Sequence, residues 1–318
     1  MNIMNAAKRE LLARIAYLYY IKKYSQKQIS QELGIYRTTV SRFLQQAQRE
    51  NIVSVQINGF DTSTFELEVE LKRLGHLKNV LIAESGTQDH NLLAAKAAQY
   101  LRQIIFPEAT VGFAWGNTLA GMVGQLHNFK KTNALFVPLV GGPSVTNSGY
   151  HVNGIIYDFA RQLGGESLYI DKPVIQTSRY DCAQFVSSPR FEPIRRSWNN
   201  LDIAFVGIGG PLTGYSSRWR NLLTAKDITF LKERKAIGDC CCTFFDKDGK
   251  ILRGETLERT IGIPLQTLQK TKTVVGVARS LTKVPSIAAL LKLNVLDVLI
   301  TDKETGLKLL TVLREQKS

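Results

Sequence analysis

Seven apolar runs of four to eight residues recur between Asn79 and Thr301, each separated from the next by a turn-rich or helix-periodic segment. They read "NVLIA" (from Asn79), "TVGFA" (Thr110), "ALFVPLV" (Ala134), "SLYI" (Ser167), "DIAFVGIG" (Asp202), "TVVGVA" (Thr273) and "VLDVLIT" (Val295). Strands that are apolar throughout, rather than in alternation, need cover on both faces, which is the situation of a parallel sheet between helical layers. Helix-periodic stretches at Leu92–Ile105, Asn153–Leu163, Val284–Leu293 and Glu304–Glu315 supply that cover. The expectation is an α/β domain with a parallel sheet.

The first 58 residues follow another rule. Leu11, Leu12, Ile15, Leu18 and Tyr19 recur at helical spacing over residues 8–23; Ser25 is a candidate cap for a second helix burying Ile29 and Leu33. Gly34 suits a left-handed helix exit, and a third helix follows at once. About 100° per residue puts Val40, Phe43, Leu44 and Ala47 on one stripe of it, opposite Thr38, Arg42, Gln45 and Arg49, with Ser41 and Gln46 at the flanks. No acid interrupts that outer face before Glu50. This is the pattern of a helix-turn-helix, whose recognition helix offers Arg to guanine and Gln to adenine in the major groove. Arg42 and Thr38 are the base-reading candidates, Ser41 and Gln45 share their face, and Lys27 and Arg37 sit at helix starts where phosphates run. The same geometry recurs in protein-binding helix pairs. Charge favours a polyanion: residues 1–58 hold nine Lys/Arg against three Glu, within a chain of net charge +14. "IVSVQIN" (Ile52–Asn58) alternates like a closing strand or wing. The chain therefore divides into a head, residues 1–58, and a larger domain, residues 59–318, joined through the turn-rich "GFDTST". The helical "FELEVELKRLG" that follows is placed either to begin the next domain or to lie along a partner subunit.

In the larger domain, three strands run into glycine-bearing loops: "WGNTLAG", "VGGPS" and "GIGGP". Parallel sheets bind ligands beyond the carboxyl ends of their strands, and glycine lets backbone N–H groups approach an anion. Gly116, Asn117 and Thr118 are thus candidates for a phosphate cradle, although glycine in such turns also serves sterics alone. Asp239 follows a glycine turn in "AIGDCCCTFFDKDGK", and Lys283 follows the strand "TVVGVA". An acid that takes sugar hydroxyls and a lysine that neutralises phosphate suit a phosphosugar; each is equally compatible with a plain surface position.

The ordered set "ARIAYLYYIKKYSQKQISQELGIYRTTVSRFLQQAQRENIVSVQI", "VGFAWGNTL", "VPLVGG", "DIAFVGIG", "AIGDCCCTFFDKDG", "IGIPLQTL" and "VLITDKETGLKLL" resembles the sorbose-operon-regulator (SorC) family of bacterial sugar-responsive transcription factors over nearly the whole chain. The resemblance implies an effector domain similar to glucosamine-phosphate deaminase and ribose-phosphate isomerase folds. It also implies a homo-oligomer (dimer or tetramer) on operator DNA, and a phosphorylated sugar as effector. By motif it assigns ligand contacts to Gly116, Asn117 and Thr118 after "VGFAWG", to Gly141 and Gly142 of the "GG" loop, to Asp239 and to Lys283.

Other functions fit less well. No Walker loop or G-x-G-x-x-G fingerprint occurs, which disfavours ATP and NAD, and no cofactor is expected. Cys182, Cys240, Cys241 and Cys242 show no metal spacing and, read as consecutive strand residues, would point to alternate faces; no metal site is expected. A sugar-phosphate isomerase or deaminase with an added head is the competing reading. It needs a general base, and of His76, His90, His127 and His151 only His151 neighbours a glycine loop. An enzyme, with catalytic residues, is not expected. No run of eighteen apolar residues and no secretory pattern occur, so the expectation is a cytoplasmic protein without membrane contact.

Overall fold

The structure, a computed structural model, describes residues 6–55, 58, 61–83, 90–127, 129–143, 151–212 and 218–316. It separates into two compact units, Met1–Thr62 and Ser63–Ser318.

The smaller unit is helical. Helix α1 (Ala6–Ala16) widens into one turn of i→i+5 bonding over Tyr17–Ile21, where Tyr19 and Tyr20 pack edge-on at 5.0 Å, and Lys23 ends it at φ 60°. The helical run expected over residues 8–23 therefore continues to Ile21, with its last turn wider than an α-helix. Helix α2 (Gln26–Leu33) starts with a reciprocal cap: Ser25 Oγ accepts from the Gln28 N–H at 3.3 Å, and Gln28 Oε1 accepts from the Ser25 N–H at 2.9 Å. Gly34, at φ 63°, ends it in the left-handed region, which only glycine enters without cost. Helix α3 (Arg37–Arg49) follows after two residues. Ile15, Ile29, Val40 and Leu44 close one core between the three helices, and Leu12, Ala16 and Ala47 close a second. The expected strand at Ile52–Asn58 is absent from Ile52–Val55, while Gln56 and Ile57 lie outside the described residues. Instead the N–H groups of Ile52 and Val53 bond back to the Ala47 carbonyl, and both side chains pack on the second core.

The larger unit begins with α4 (Thr62–Leu74), β1 (Asn79–Ala83), α5 (His90–Ile104), β2 (Thr110–Phe113), α6 (Asn117–Val123), β3 (Leu135–Pro138), α7 (Val152–Leu163) and β4 (Glu166–Ser167). It continues with α8 (Arg179–Ser187), α9 (Glu192–Asn199), β5 (Ile203–Gly209), α10 (Ala225–Glu233), β6 (Gly238–Cys240) and β7 (Thr243–Phe245). It ends with α11 (Glu255–Glu258), α12 (Leu265–Leu268), β8 (Thr273–Val277), α13 (Val284–Lys292), β9 (Val298–Asp302) and α14 (Lys303–Glu315). Seven strands form one parallel sheet in the order β1-β9-β8-β5-β2-β3-β4. "SLYI" pairs for only part of its length, because the Asn153 side chain grips the backbone N–H and carbonyl of Ile170.

Phe113 on β2 centres the core, stacked on Phe159 at 4.2 Å, Phe205 at 5.4 Å and Phe136 at 6.4 Å, all fully buried. Burying each such ring contributes about 1.5–3 kcal/mol.

The sequence reading contained no equivalent of β6 and β7. They form a tight antiparallel hairpin in which Cys240 pairs with Thr243, β6 pairs with β5, and Cys241 and Cys242 make the two-residue loop at φ 48° and 60°. Positive φ at both loop positions matches the twist of the flanking strands. Cys240 thus ends the strand while Cys241 and Cys242 form the turn, and all three are buried and unbridged.

Candidate functional site

Chain order fixes where the sheet opens. From β2 the chain proceeds outward through β3 to β4, then returns to β5 on the other side of β2 and proceeds outward to β8 and β9. The carboxyl ends of β2 and β5 therefore flank the point where the winding reverses, the crevice in which such sheets take ligands.

Asp239 reaches this point because β6 folds back antiparallel on the end of β5, pairing Asp239 with Gly209. A Cβ at residue 209 would lie 2.0 Å from Asp239 Oδ1, so only glycine permits this approach. Arg220 meets the carboxylate from the far end of the β5 loop. Its Nη2 donates to Asp239 Oδ1 at 2.9 Å and to the Gly210 carbonyl at 2.6 Å, and its Nη1 donates to the Pro211 carbonyl at 2.9 Å. Its Nε, also buried, has no hydrogen-bond partner among the described residues.

Lys283 enters from the turn after β8, its stem against Gly210, where a Cβ would lie 3.2 Å from Lys283 Cγ. Ser280, at φ 117°, starts that turn with its N–H on Thr305 Oγ1 at 2.9 Å. Burial pushes the Lys283 ammonium below the usual lysine range; Asp239 opposes that shift, while Arg220 and Arg279 add to it. Lys283 thus has two arginines and one carboxylate as charged neighbours, an excess of positive charge in a partly desolvated place, where an anion is attracted far more strongly than on an open surface.

Gly116 caps α6 at φ 146°, with Asn117 and Thr118 in its first turn, at the end of β2 beside β5. Trp115, just before them, hydrogen-bonds the Cys242 thiol and so joins this loop to the β6–β7 hairpin. Gly141 and Gly142 follow β3, one strand further out. Their nearest neighbours are the backbone of Lys172–Val174 and the ring of His151, whose Nε2 would lie 2.5 Å from a Cβ at residue 142. That packing is a steric reason for both glycines. Burial lowers the pKa of His151, and its Nδ1 accepts from the Asn153 N–H at 3.3 Å to cap α7. The fold thus brings Asp239 and Lys283 into one cluster, sets Gly116–Thr118 on the adjoining strand end, and gives Gly141–Gly142 other partners. Residues 84–89, 144–150 and 213–217, which follow β1, β3 and β5 in sequence, lie outside the described residues.

Sequence reading missed Arg220. "SSRWRNL" has the composition of a solvated loop, and nothing in its spacing points to an acid 19 residues later. It also missed a second buried ion pair, in which Arg259 Nη2 meets Asp227 Oδ2 at 2.6 Å and Arg259 Nη1 donates to the Gln176 carbonyl at 2.8 Å. A cleft of about 850 Å³ lies elsewhere, between α8, α9 and the α11–α12 segment, walled by Cys182, Val186, Phe191, Trp198 and Gly262; none of the seven candidate ligand residues lines it. Charge convergence, not cleft size, marks the candidate site.

The six candidate DNA residues lie on α2 and α3. Lys27, Arg37, Thr38, Arg42 and Gln45 are exposed and Ser41 is half-buried, while Arg42 stacks its guanidinium 5.5 Å from the Phe43 ring centroid. Among the described residues no helix is long and apolar enough to cross a membrane, and no His/Cys/Asp/Glu group is arranged to hold a metal.

Comparison with known proteins places both units. Residues 61–311 match the family described as "Putative sugar-binding domain". Residues 13–59 are similar to a family described as "Putative ATPase subunit of terminase (gpP-like)"; the matched segment is the helical head and carries no Walker sequence. The chain is 32% identical to the sorbitol operon regulator of Klebsiella pneumoniae over 93% of its own length and 96% of the relative's. It is 28% identical to the deoxyribonucleoside regulator of Bacillus subtilis (95% and 98%) and to the transcriptional regulator LsrR of Escherichia coli K12 (95% and 94%). Among solved structures, the full-length sorbitol operon regulator SorC from K. pneumoniae superposes with a TM-score of 0.76 at 30% identity, covering 96% of this chain and all of that one. A transcriptional regulator from Streptococcus pneumoniae gives 0.75 at 35% identity over 82% of this chain and all of that one.

Proposed function

The chain belongs to the SorC family of sugar-binding bacterial transcriptional regulators, and from that premise we propose how its two parts divide the work. The head, residues 1–58, binds operator DNA with α3 in the major groove: Arg42, Thr38, Ser41 and Gln45 face the bases, and Lys27 and Arg37 hold phosphates. The effector domain, residues 59–318, takes a phosphorylated sugar at the β2–β5 crevice. Lys283 and the α6 start at Gly116, Asn117 and Thr118 meet the phosphate, and Asp239 meets the sugar hydroxyls, with Gly141 and Gly142 shaping the outer rim. The observation that carries this reading is the gathering of Arg220, Arg279 and Asp239 as charged neighbours of Lys283, with Arg220 paired to Asp239 at the winding reversal. A free sugar gains little from three cations; a phosphate dianion gains much.

The protein works as a homo-oligomer in the cytoplasm. Phe65 and Val69, four residues apart and exposed on α4, support self-association along that helix. Effector binding then shifts operator affinity by its differential affinity for two arrangements of the oligomer, and by no more than that. As a regulator the chain needs no turnover of the sugar, and none of these residues is assigned a catalytic role.

The test is a thermal-shift panel of sugar phosphates, each beside its unphosphorylated sugar, followed by operator binding with and without the hit. Binding to the folded state alone raises the midpoint with concentration. Stabilisation by phosphosugars and not by their parent sugars is the expected result; equal stabilisation by both rejects the phosphate assignment.

A further inference from the structure

The two helices of the head begin in opposite ways. Helix α2 has a full reciprocal cap from Ser25 and Gln28. Helix α3 has Tyr36 at the cap position, with the right backbone (φ −63°, ψ 142°) and its carbonyl already accepting from the Thr39 and Val40 N–H groups, but its side chain makes no cap bond. The first turn continues with Arg37 and no acid, opposite in sign to what the helix dipole favours there. Tyrosine is a poor cap, and Ser, Thr, Asp or Asn at such a position is worth about tenfold in the folding equilibrium. The ring is also 84% exposed. A lone exposed aromatic means little by itself. Here it sits where a serine would stabilise the helix, and it immediately precedes the residues that a recognition helix turns toward bases.

We propose that Tyr36 is a specificity-determining residue of the head, its ring packing against the C5-methyl of a thymine at the edge of each half-site. The major groove presents that methyl as its one apolar feature, and apolar side chains read it by contact. A rigid aromatic ring gives large contact area at small entropic cost. The proposal rests on α3 being the recognition helix.

Full-length protein and its Tyr36→Ser and Tyr36→Phe variants are used to select duplexes from a random pool, and the selected sequences are re-measured with each thymine replaced in turn by deoxyuridine. Tyr36→Ser is expected to raise the melting temperature of the head by roughly 4 °C, by restoring the cap. It should weaken operator binding about tenfold, the usual scale of one misread base pair, and relax one position of the selected sequence. Wild type and Tyr36→Phe should both lose affinity when one particular thymine becomes deoxyuridine, and Tyr36→Ser should be indifferent to it. Unchanged selection by Tyr36→Ser overturns the proposal, as does a weakening equal on all duplexes, which marks a phosphate contact or a fold defect. If wild type selects no sequence, the DNA-binding reading itself fails, and that outcome is distinct from either of these.

Discussion

Arg220 and Asp239 form an ion pair at 2.9 Å with 6% and 8% of their side-chain surfaces exposed, at the very point where the sheet reverses its winding. Each is the other's counter-charge, and Arg220 also ties down the carbonyls of Gly210 and Pro211. The pair therefore acts first as a clasp between β5 and β6 and only then as part of a site. Removing one partner strands a buried charge, which costs about 3–5 kcal/mol, whereas replacing both with apolar residues costs far less. Asp239→Ala is expected to lose that much in urea unfolding, and Asp239→Leu with Arg220→Met to recover most of it. Both variants lose effector binding.

Lys283 gives the opposite coupling between stability and ligand. Burial holds its pKa below that of an ordinary lysine, so between the folded value and 10.5 the unfolded chain binds more protons, and stability of the free protein rises with pH. Lys283→Met removes a desolvated charge and should leave the free protein as stable as wild type or more so at pH 7, while weakening phosphosugar binding at least tenfold. In wild type the affinity should fall on the alkaline side at a pH where ordinary lysines are still charged. Calorimetric titration across pH checks both.

Asp227 sets the acid limit. Burial raises its pKa, but Arg259, Thr256 and Thr224 outweigh this and hold it at about 2, against an ordinary 3.8. A depressed carboxylate contributes its stability above the unfolded value and loses it as pH falls through the folded one. Between about pH 4 and pH 2 the protein should lose about 2 kcal/mol through this group. Asp227→Asn should be less stable at pH 7 and show correspondingly less loss over that interval, measured by denaturant unfolding at each pH.

In the head, base-reading and phosphate-holding residues should separate under salt. Arg42→Ala is expected to cost about 1–3 kcal/mol on the operator and little on unrelated duplexes. Lys27→Ala or Arg37→Ala should weaken both alike and reduce the slope of log affinity against log salt by about one. Fluorescence anisotropy over a salt series distinguishes them, and effector-induced thermal stabilisation should survive in all three.

Legibility followed distance along the chain. The strands carried in single apolar runs, such as Asn79–Ala83 and Ile203–Gly209, stand in the structure within a residue or two of where "NVLIA" and "DIAFVGIG" put them, because burial on both faces writes itself into each run. Ser25 and Gly34 were readable because caps are local chemistry. The β6–β7 hairpin was not, since three residues a side give no period and its loop lacks the usual Asn-Gly. Asp239 and Lys283 lie 44 positions apart in sequence, and only the sheet order explains how they come to share Arg220 as a neighbour. Arg220 left no local trace at all.

The left-handed pair at Cys241 and Cys242 follows from where its hairpin points. A solvent-facing loop of this shape asks for Asn-Gly, whose amide drinks from the water outside; this one is roofed over, so an amide there would go thirsty. Small thiols endure the awkward backbone for the sake of staying dry. An engineer who "repaired" the tip with its statistically favoured dipeptide would relax two torsions and unseat the acid two residues upstream.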